Sequence, residues 1–442
     1  MLIICIIQAM AIGLAIVTMK KNISKWILAF NLWWLFLLIL NELFPFGNYD
    51  ISDNAYFCFG SFLFFTSIGY IFPKSVKSDA VIDQQQTSLE NQYMDLIINN
   101  NVIRLFIFLL TVSLIYYAYR YTSYMSDSSI LYARTARFYV GYIFNSTIEL
   151  LLFNYIISAG RFLLVFIISF GIIYRKYKNI SFFLSILGLL LYSYIGGSRF
   201  PLVLLVMEII VLFVIKRETD DKRKSIMSIV KFVLMAICGF VMFYFLMLYF
   251  TAHRLGMKGF DIEFLSSASL VLYDQVINYN IGPLAGFSKM LDSGMLYNHF
   301  YFGQAVVLNG IDELFRNLLA LANIPFESAR YTIGEIAAQT ISIGNRSFNA
   351  LYSCVYWFFS DLGYLGVIIY SFVFGIVENK IVSNYYLNKN LWSLMLIVHC
   401  LYFLLMSNFN WEINTVDSLV YILFIVTYLR KKYVRYQREC GL

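Results

Sequence analysis

The sequence is short of charged residues, proline and histidine. Only 13% of its 442 residues are charged, about half of the share in an average soluble protein. Five prolines and the absence of Ser/Gly-rich or acidic tracts give no sign of a linker or a disordered tail. Hydrophobic residues make up 60% of the chain and its mean hydropathy is +0.71. We therefore expect one membrane-embedded domain over residues 1–442 rather than a soluble protein.

Several common motifs of catalysis and metal binding are also missing. There is no P-loop, no Gly-x-Gly-x-x-Gly and no His-Glu-x-x-His, and the three histidines are widely spaced. ATP-driven transport and zinc hydrolysis are therefore not expected, and we predict no metal and no cofactor. Six cysteines lie in apolar segments or in the basic tail, which argues against a disulfide framework. They are Cys5, Cys58, Cys238, Cys354, Cys400 and Cys440.

Long hydrophobic runs dominate what is present. Roughly 20 apolar residues are needed to cross a bilayer as a helix, and eleven runs approach that length, so we predict an all-α polytopic membrane protein. The first run lacks a basic leader and a small-residue cleavage site, and it is interpreted as a retained helix instead of a signal peptide. The eleven runs cover residues 2–19, 26–44, 54–72, 102–119, 151–174, 180–195, 199–215, 229–250, 364–378, 391–407 and 418–429.

Basic residues orient these spans. Lysine and arginine cluster in the connections 20–25, 175–178 and 216–224 and in the tail 430–438. Because short translocated loops carry few basic residues, these four segments are predicted to be cytoplasmic, which places the N-terminus outside and the C-terminus inside.

The basic residues assigned to the outer side differ in kind from the cytoplasmic ones. Nine are arginine and only two, Lys258 and Lys289, are lysine. A guanidinium grips phosphate or carboxylate with two parallel hydrogen bonds, so an anionic outer ligand would explain the bias. Pairing of these arginines with carboxylates of the loops is the alternative explanation.

One outer connection, residues 251–347, is too long for a simple link, and we call it the long loop. It contains an amphipathic helical pattern in which Asp312, Glu313, Arg316 and Asn317 alternate with apolar residues. Such a helix is typical of the membrane surface, or it could pack on a core formed by the loop itself. Clusters of glycine and aromatic residues at 279–287 and 301–303 further predict a compact cap with tight turns. The apolar positions are Ile311, Leu314, Phe315, Leu318, Leu319 and Ala322.

The stretch Gly197-Ser198-Arg199 joins two spans at the outer surface. Ser198 can cap the next helix, and a helix N-terminus beside an arginine is suited to an anion. The alternative is a tight hairpin whose Arg199 reaches solvent. Arg254, where the chain leaves the membrane after His253, is predicted at the same height, and it could equally be an interfacial anchor.

Other polar residues give weaker signals. Arg134 and Arg137 would share a helical face and could add phosphate contacts. Arg161, Glu208 and His399 fall near the middle of their spans, where charges are costly and normally paired. We therefore predict contact between Arg161 and Glu208, which is more consistent with locking two helices together than with catalysis.

Three features together resemble the oligosaccharide repeat unit polymerases, the Wzy-type O-antigen and capsule polymerases of bacteria. One is Gly197-Ser198-Arg199 at the head of an apolar helix, and another is the large outer loop late in the chain. The third is Asn349-Ala350-Leu351 followed by the segment 356–366, Tyr-Trp-Phe-Phe-Ser-Asp-Leu-Gly-Tyr-Leu-Gly, before the next helix.

The resemblance implies a GT-C-like fold in a bacterial inner membrane and metal-independent transfer of a glycan between undecaprenyl-pyrophosphate-linked repeat units. It implies no nucleic-acid partner, and a chain-length regulator is a candidate partner. Gly197, Ser198, Arg199, Arg254, Arg134 and Arg137 would bind the pyrophosphate, whose charge develops in the transition state. A base for the acceptor hydroxyl is also needed, and the candidates are His299, Asp274, Asp312, Glu313 and Glu335. An O-antigen ligase, and a glycolipid flippase or proton-coupled transporter using Arg161, Glu208 and His399, remain alternatives.

Overall fold

The computed structural model describes residues 13, 24–73, 89–127, 139–196, 198, 200–219, 244–245, 247–248, 262–296, 300–348 and 352–439. Within these residues the chain is mostly helical, and the only sheet is a two-stranded antiparallel hairpin. The prediction of an all-α protein is confirmed at this level.

The helices and strands are numbered here in chain order. They are α1 Ser24–Leu43, α2 Asp53–Ile71, α3 Leu89–Tyr93, α4 Asn101–Asp127, α5 Thr147–Ile173, α6 Ile180–Gly196, α7 Phe200–Thr219, α8 Ile262–Asp292, α9 Asn309–Leu321, α10 Ala329–Ala338, β1 Ile341–Ile343, β2 Arg346–Phe348, α11 Cys354–Asn388, α12 Leu391–Met406, α13 Val416–Leu423 and α14 Arg430–Glu439. Wider π-helical turns at Met94–Ile98 and Phe424–Leu429 extend α3 and join α13 to α14.

Within the described residues, five helices are long and apolar enough to cross a membrane. They are α1, α2, α4, α5 and α11. The shorter apolar helices α6 and α12 start at the first residues of the predicted spans 180–195 and 391–407. The predicted spans 2–19 and 229–250 lie almost wholly outside the described residues, so the count of eleven stays a prediction. The chain is thus helical and membrane-embedded, as its composition indicated.

The chain divides into two compact units, one of residues 1–86 and 276–442 and the other of residues 87–275. In the second unit α5 packs against α6 and α7, and α4 packs against α6. The Thr111 hydroxyl on α4 donates to the carbonyl of Leu184 on α6 at 3.3 Å. Arg120 contacts Glu149 at 3.5 Å and donates to Asn145 Oδ1 at 2.7 Å. Arg120, which the sequence assigned to the outer side, is thus paired with a carboxylate near the start of α5.

The predicted contact between Arg161 and Glu208 is wrong. Arg161 donates to the Tyr192 hydroxyl at 3.2 Å, and its guanidinium faces the ring of Phe162. Glu208 is buried, and its Oε2 has no hydrogen-bond partner among the described residues. Arg161 thus contacts aromatic side chains of α5 and α6 and not the carboxylate of Glu208. His399 belongs to the other unit, where its Nε2 lies 2.9 Å from Ser418 Oγ.

In the first unit, α2 and α11 form the most extensive helix pair. Gly69 and Gly375 lie where the two backbones nearly touch, and a Cβ at either position would collide with a carbonyl of the facing helix. Small residues at such crossings let membrane helices approach closely. Cys58, Cys354 and Cys400 are buried free thiols in this unit, consistent with the absence of a disulfide framework.

A break near the start of α11 separates the short segment 354–361 from the long apolar segment 364–388. Gly363 has φ +64° and ψ −145°, a conformation almost restricted to glycine, and Leu362 is also non-helical. The predicted start of a span at Tyr364 coincides with this break. Asp361, immediately before it, is buried, and its carboxylate accepts from the backbone N–H of Gly303 at 2.8 Å and of Ala305 at 3.3 Å.

The long loop is largely helical. Residues 279–287, predicted to form tight turns, lie inside the continuous helix α8, so that prediction is wrong. Gly282 and Gly286 instead lie against the rings of Phe348 and Tyr352. The turn predicted at 301–303 is present, and Phe302 and Gly303 both have positive φ.

Replacement of Gly363 should destabilise the protein. Gly363→Ala places a side chain on a glycine-type backbone and should lower the free energy of unfolding by about 1–3 kcal/mol. Gly334→Ala is the matched control, because Gly334 is helical and open space surrounds it. Thermal unfolding of both variants in detergent, followed with a thiol-reactive dye, provides the comparison. Equal midpoints for the two variants would contradict the assigned break.

Candidate functional site

A pocket of about 430 Å³ lies within the first unit, between α9, α10 and the start of α11. It is the best candidate site within the described residues because charged, aromatic and amide side chains converge on it. Its lining residues are Glu313, Arg316, Asn317, Ser328, Arg330, Tyr331, Gly334, Glu335, Ala337, Ala338, Tyr352, Tyr356, Trp357 and Asn410.

Asp312 holds the two loop helices of this pocket together. It is buried on α9, and its Oδ2 accepts from the Ser328 hydroxyl at 2.6 Å and from the Arg330 N–H at 2.9 Å, both at the start of α10. Its Oδ1 accepts from Gln304 Nε2 at 2.6 Å. Ser328 Oγ in turn accepts from the Tyr331 N–H and caps α10. Asp312 is thus a structural carboxylate and not a free base.

Two arginines in the pocket are stacked on aromatic rings. The Arg330 guanidinium lies 4.6 Å from the centroid of Trp357, and its Nε lies 3.8 Å from a Glu313 carboxylate oxygen. The Arg316 guanidinium lies 3.5 Å from the centroid of Tyr331. Stacking fixes the plane of a guanidinium while leaving its N–H groups at the edge, where they can bind an oxygen-rich ligand.

Glu313 and Glu335 bring carboxylates to the same pocket. Glu313 is half-buried and paired with Arg330, whereas Glu335 is exposed on α10. No hydrogen bond or ion pair involves Glu335 in the part of the chain that the structure describes. Of the two acidic residues that line the pocket, Glu335 is therefore the one that is exposed and Glu313 the one held in an ion pair.

Tyrosine and tryptophan form the inner wall. Tyr352 is only 1% exposed, and its hydroxyl has no hydrogen-bond partner among the described residues although it lines the pocket. Burial raises the pKa of Tyr352, so this hydroxyl stays protonated and can donate.

The remaining aromatic residues of the wall are fixed by hydrogen bonds. The Tyr356 hydroxyl donates to the Ile333 carbonyl at 3.0 Å, and the Trp357 indole N–H donates to Asn410 Oδ1. The second bond holds the ring on which Arg330 stacks. The pocket can therefore offer aromatic, guanidinium and carboxylate groups to one ligand.

The predicted catalytic residues differ in where they lie relative to the pocket. Asp312 and Glu335 lie at or beside the pocket, as does Glu313. Asp274 is an exposed residue of α8 that belongs to the other unit. His299 lies outside the described residues.

Most of the predicted pyrophosphate-binding residues are not described. Gly197, Arg199, Arg254, Arg134 and Arg137 all lie outside the described residues. Ser198 is described, and its Oγ accepts from the Phe200 N–H at 3.4 Å at the start of α7, as predicted for a capping residue. Its contribution to anion binding stays a prediction.

Sequence reasoning missed Arg330, Tyr331 and Tyr352, and it noted Arg316 and Trp357 only as parts of longer patterns. One available signal was the polar side of α9, since residues 313, 316 and 317 share a helical face opposite the apolar residues. The contacts with α10 and α11 could not be foreseen, because nothing in the local sequence fixes how these helices meet.

Comparisons with known proteins do not add to this description. No protein-family model, curated protein or solved structure matches the chain significantly. The resemblance to Wzy-type polymerases therefore stays a prediction. Within the described residues, no group of three histidine, cysteine or acidic side chains could hold a metal ion.

Two acidic residues of the site should differ in their effect on stability. Asp312→Ala leaves buried donors of Ser328 and Arg330 unsatisfied and should cost about 1–3 kcal/mol of unfolding free energy. Glu335→Gln should leave stability unchanged, because Glu335 is exposed. Thermal unfolding in detergent measures both. A loss of stability in Glu335→Gln as large as that in Asp312→Ala would show that the roles of these residues are misassigned.

Proposed function

We propose that this protein is a polymerase that joins undecaprenyl-pyrophosphate-linked oligosaccharide repeat units into O-antigen or capsular polysaccharide. In this proposal it is a GT-C-like protein of eleven spans in a bacterial inner membrane, with the N-terminus outside and the C-terminus in the cytoplasm. The long loop and its pocket then face the side on which the polymer grows. A chain-length regulator is a candidate partner.

The pocket is the observation that carries the proposal. Sugar rings bind through apolar C–H faces against aromatic rings and through hydroxyl groups to charged and amide side chains. Tyr331, which is 44% exposed, supplies the first kind of surface, and Arg316 and Glu335 supply the second. Because Arg330 and Glu313 neutralise each other, the pocket is suited to a polar ligand without a high net charge.

We assign the acceptor glycan to this pocket and the general-base role to Glu335. The acceptor hydroxyl oxygen attacks the anomeric carbon of the donor, and its proton passes to the Glu335 carboxylate. The bond between that carbon and the pyrophosphate oxygen breaks, and undecaprenyl pyrophosphate leaves. Arg199 and Arg254 are proposed to stabilise the charge that develops on this leaving group.

A strain that lacks this chain separates the competing functions. Loss of a polymerase leaves single repeat units on the final acceptor, loss of a ligase leaves polymer on the lipid carrier, and loss of a flippase leaves lipid-linked units on the cytoplasmic side. The first outcome is expected. Either of the other two outcomes would overturn the proposal.

The same strain tests the role of Glu335. Complementation with Glu335→Gln should abolish the long-chain ladder on a polysaccharide gel, because the amide cannot accept the proton. Glu327→Gln is the matched control, since Glu327 is an exposed carboxylate of the same loop that does not line the pocket. Wild-type polymer length in a Glu335→Gln strain with normal amounts of membrane-inserted protein would exclude Glu335 as the base.

A further inference from the structure

The polar side of α9 faces inward and its apolar side faces outward, which reverses the usual arrangement on a soluble protein. Asn309 and Asp312 are buried. Phe315 and Leu318, on the opposite side, are 54% and 51% exposed, and Ile311 is also exposed. The helix is therefore not packed on a core of the long loop through its apolar face, which was one of the two sequence-based alternatives.

The exposed apolar surface extends beyond α9 along the chain on both sides. Monomeric soluble proteins rarely expose apolar patches of such extent. We call this surface the α9 apolar face. Its members are Phe302, Val307, Leu308, Ile311, Phe315, Leu318, Leu321, Ile324 and Phe326.

The contacts of the 301–305 turn connect this face with the membrane-spanning part of α11. Phe302, which is 79% exposed, donates its backbone N–H to the carbonyl of Asp361 at 3.1 Å. Directly after Asp361, the long segment of α11 exposes one side chain in every turn. These residues are Leu365, Ile369, Val373 and Val377, and their spacing is that of a lipid-facing stripe.

A second connection lies at the last apolar helix. α9 packs against α13, and the Gly310 N–H donates to the Asn414 carbonyl at 2.9 Å, just before α13 begins. In the proposed orientation, α13 starts at the outer end of its span. The candidate membrane span α11 thus contacts the turn before α9, and α13, at the start of the predicted span 418–429, contacts α9 itself.

We propose that the α9 apolar face is inserted into the outer leaflet of the bilayer, so that α9 is an interfacial helix. Amphipathic helices of this kind lie in the membrane plane with their apolar side buried about 5–10 Å into the boundary between headgroups and acyl chains. The occupant is lipid because the face is linked, through the Phe302 N–H and the Asp361 carbonyl, to the start of α11, whose exposed side chains have the spacing of a lipid-facing stripe. The arrangement brings the opposite side of α9, with Glu313 and Arg316, to headgroup height.

Spin-label accessibility tests this proposal in the full-length protein in phospholipid nanodiscs. The native Cys5, Cys238 and Cys440 are replaced by serine, and the three buried cysteines are retained. Nitroxide labels are then attached in the single variants Phe315→Cys and Leu318→Cys. Ile369→Cys on α11 is the lipid-exposed reference, and Glu327→Cys is the water-exposed reference.

The labels at 315 and 318 should collide with oxygen more than with a nickel chelate, with a ratio close to that at 369 and clearly above that at 327. A ratio equal to that at 327 would show that the face lies in water. Protection from both reagents would show that protein covers it, either a second copy or a rearranged loop. Both of these results would overturn the proposal. The test uses no polymer readout, so its failure is distinguishable from failure of the proposed polymerase activity.

Discussion

Two buried carboxylates, Asp361 and Asp312, hold parts of the long loop in place, because a buried carboxylate needs hydrogen-bond donors. Asp361 binds the N–H groups of the 301–305 turn at the top of α11. Gln304, within that turn, donates to Asp312, which in turn accepts from Ser328 and Arg330 at the start of α10. A continuous series of hydrogen bonds therefore runs from a membrane helix to the pocket. Loss of either carboxylate would remove one of the connections between the loop helices and α11.

The amphipathic helix α9 contributes both to the pocket and to the exposed apolar surface. One of its sides carries Glu313 and Arg316 into the pocket, and the other carries Phe315 and Leu318 to the surface. Both arginines of the pocket lie over aromatic rings, and Arg330 is also paired with Glu313. Under the proposed function, a wall ordered in this way would lower the cost of ordering the pocket when a mobile glycan binds.

Hydrophobic runs predicted the described membrane helices well, because a span needs a minimum apolar length whatever its neighbours are. The starts of α6 and α12 at Ile180 and Leu391 coincide with prediction. The same reasoning failed where tertiary contacts decide the outcome. Glycine-rich residues 279–287 form a helix because aromatic rings pack onto the glycines, and Arg161 contacts aromatic side chains instead of Glu208. In the site, the acidic residues of α9 and α10 were predictable from the sequence. The hydrogen bonds that bury Asp312 and the exposure of Glu335 were not, because both depend on how the helices pack.

Reconstitution tests the central claim, polymerisation at the pocket, most directly. Purified protein in proteoliposomes is given an undecaprenyl-pyrophosphate-linked repeat unit, and the glycan length and the released undecaprenyl pyrophosphate are measured together. A ladder of products is expected, with one carrier released for each unit added. Neither product should form with Glu335→Gln or Arg199→Ala, although both variants insert into the membrane. Correctly inserted wild-type protein that leaves the repeat unit unextended, or a Glu335→Gln variant that extends it normally, would contradict polymerisation at the pocket.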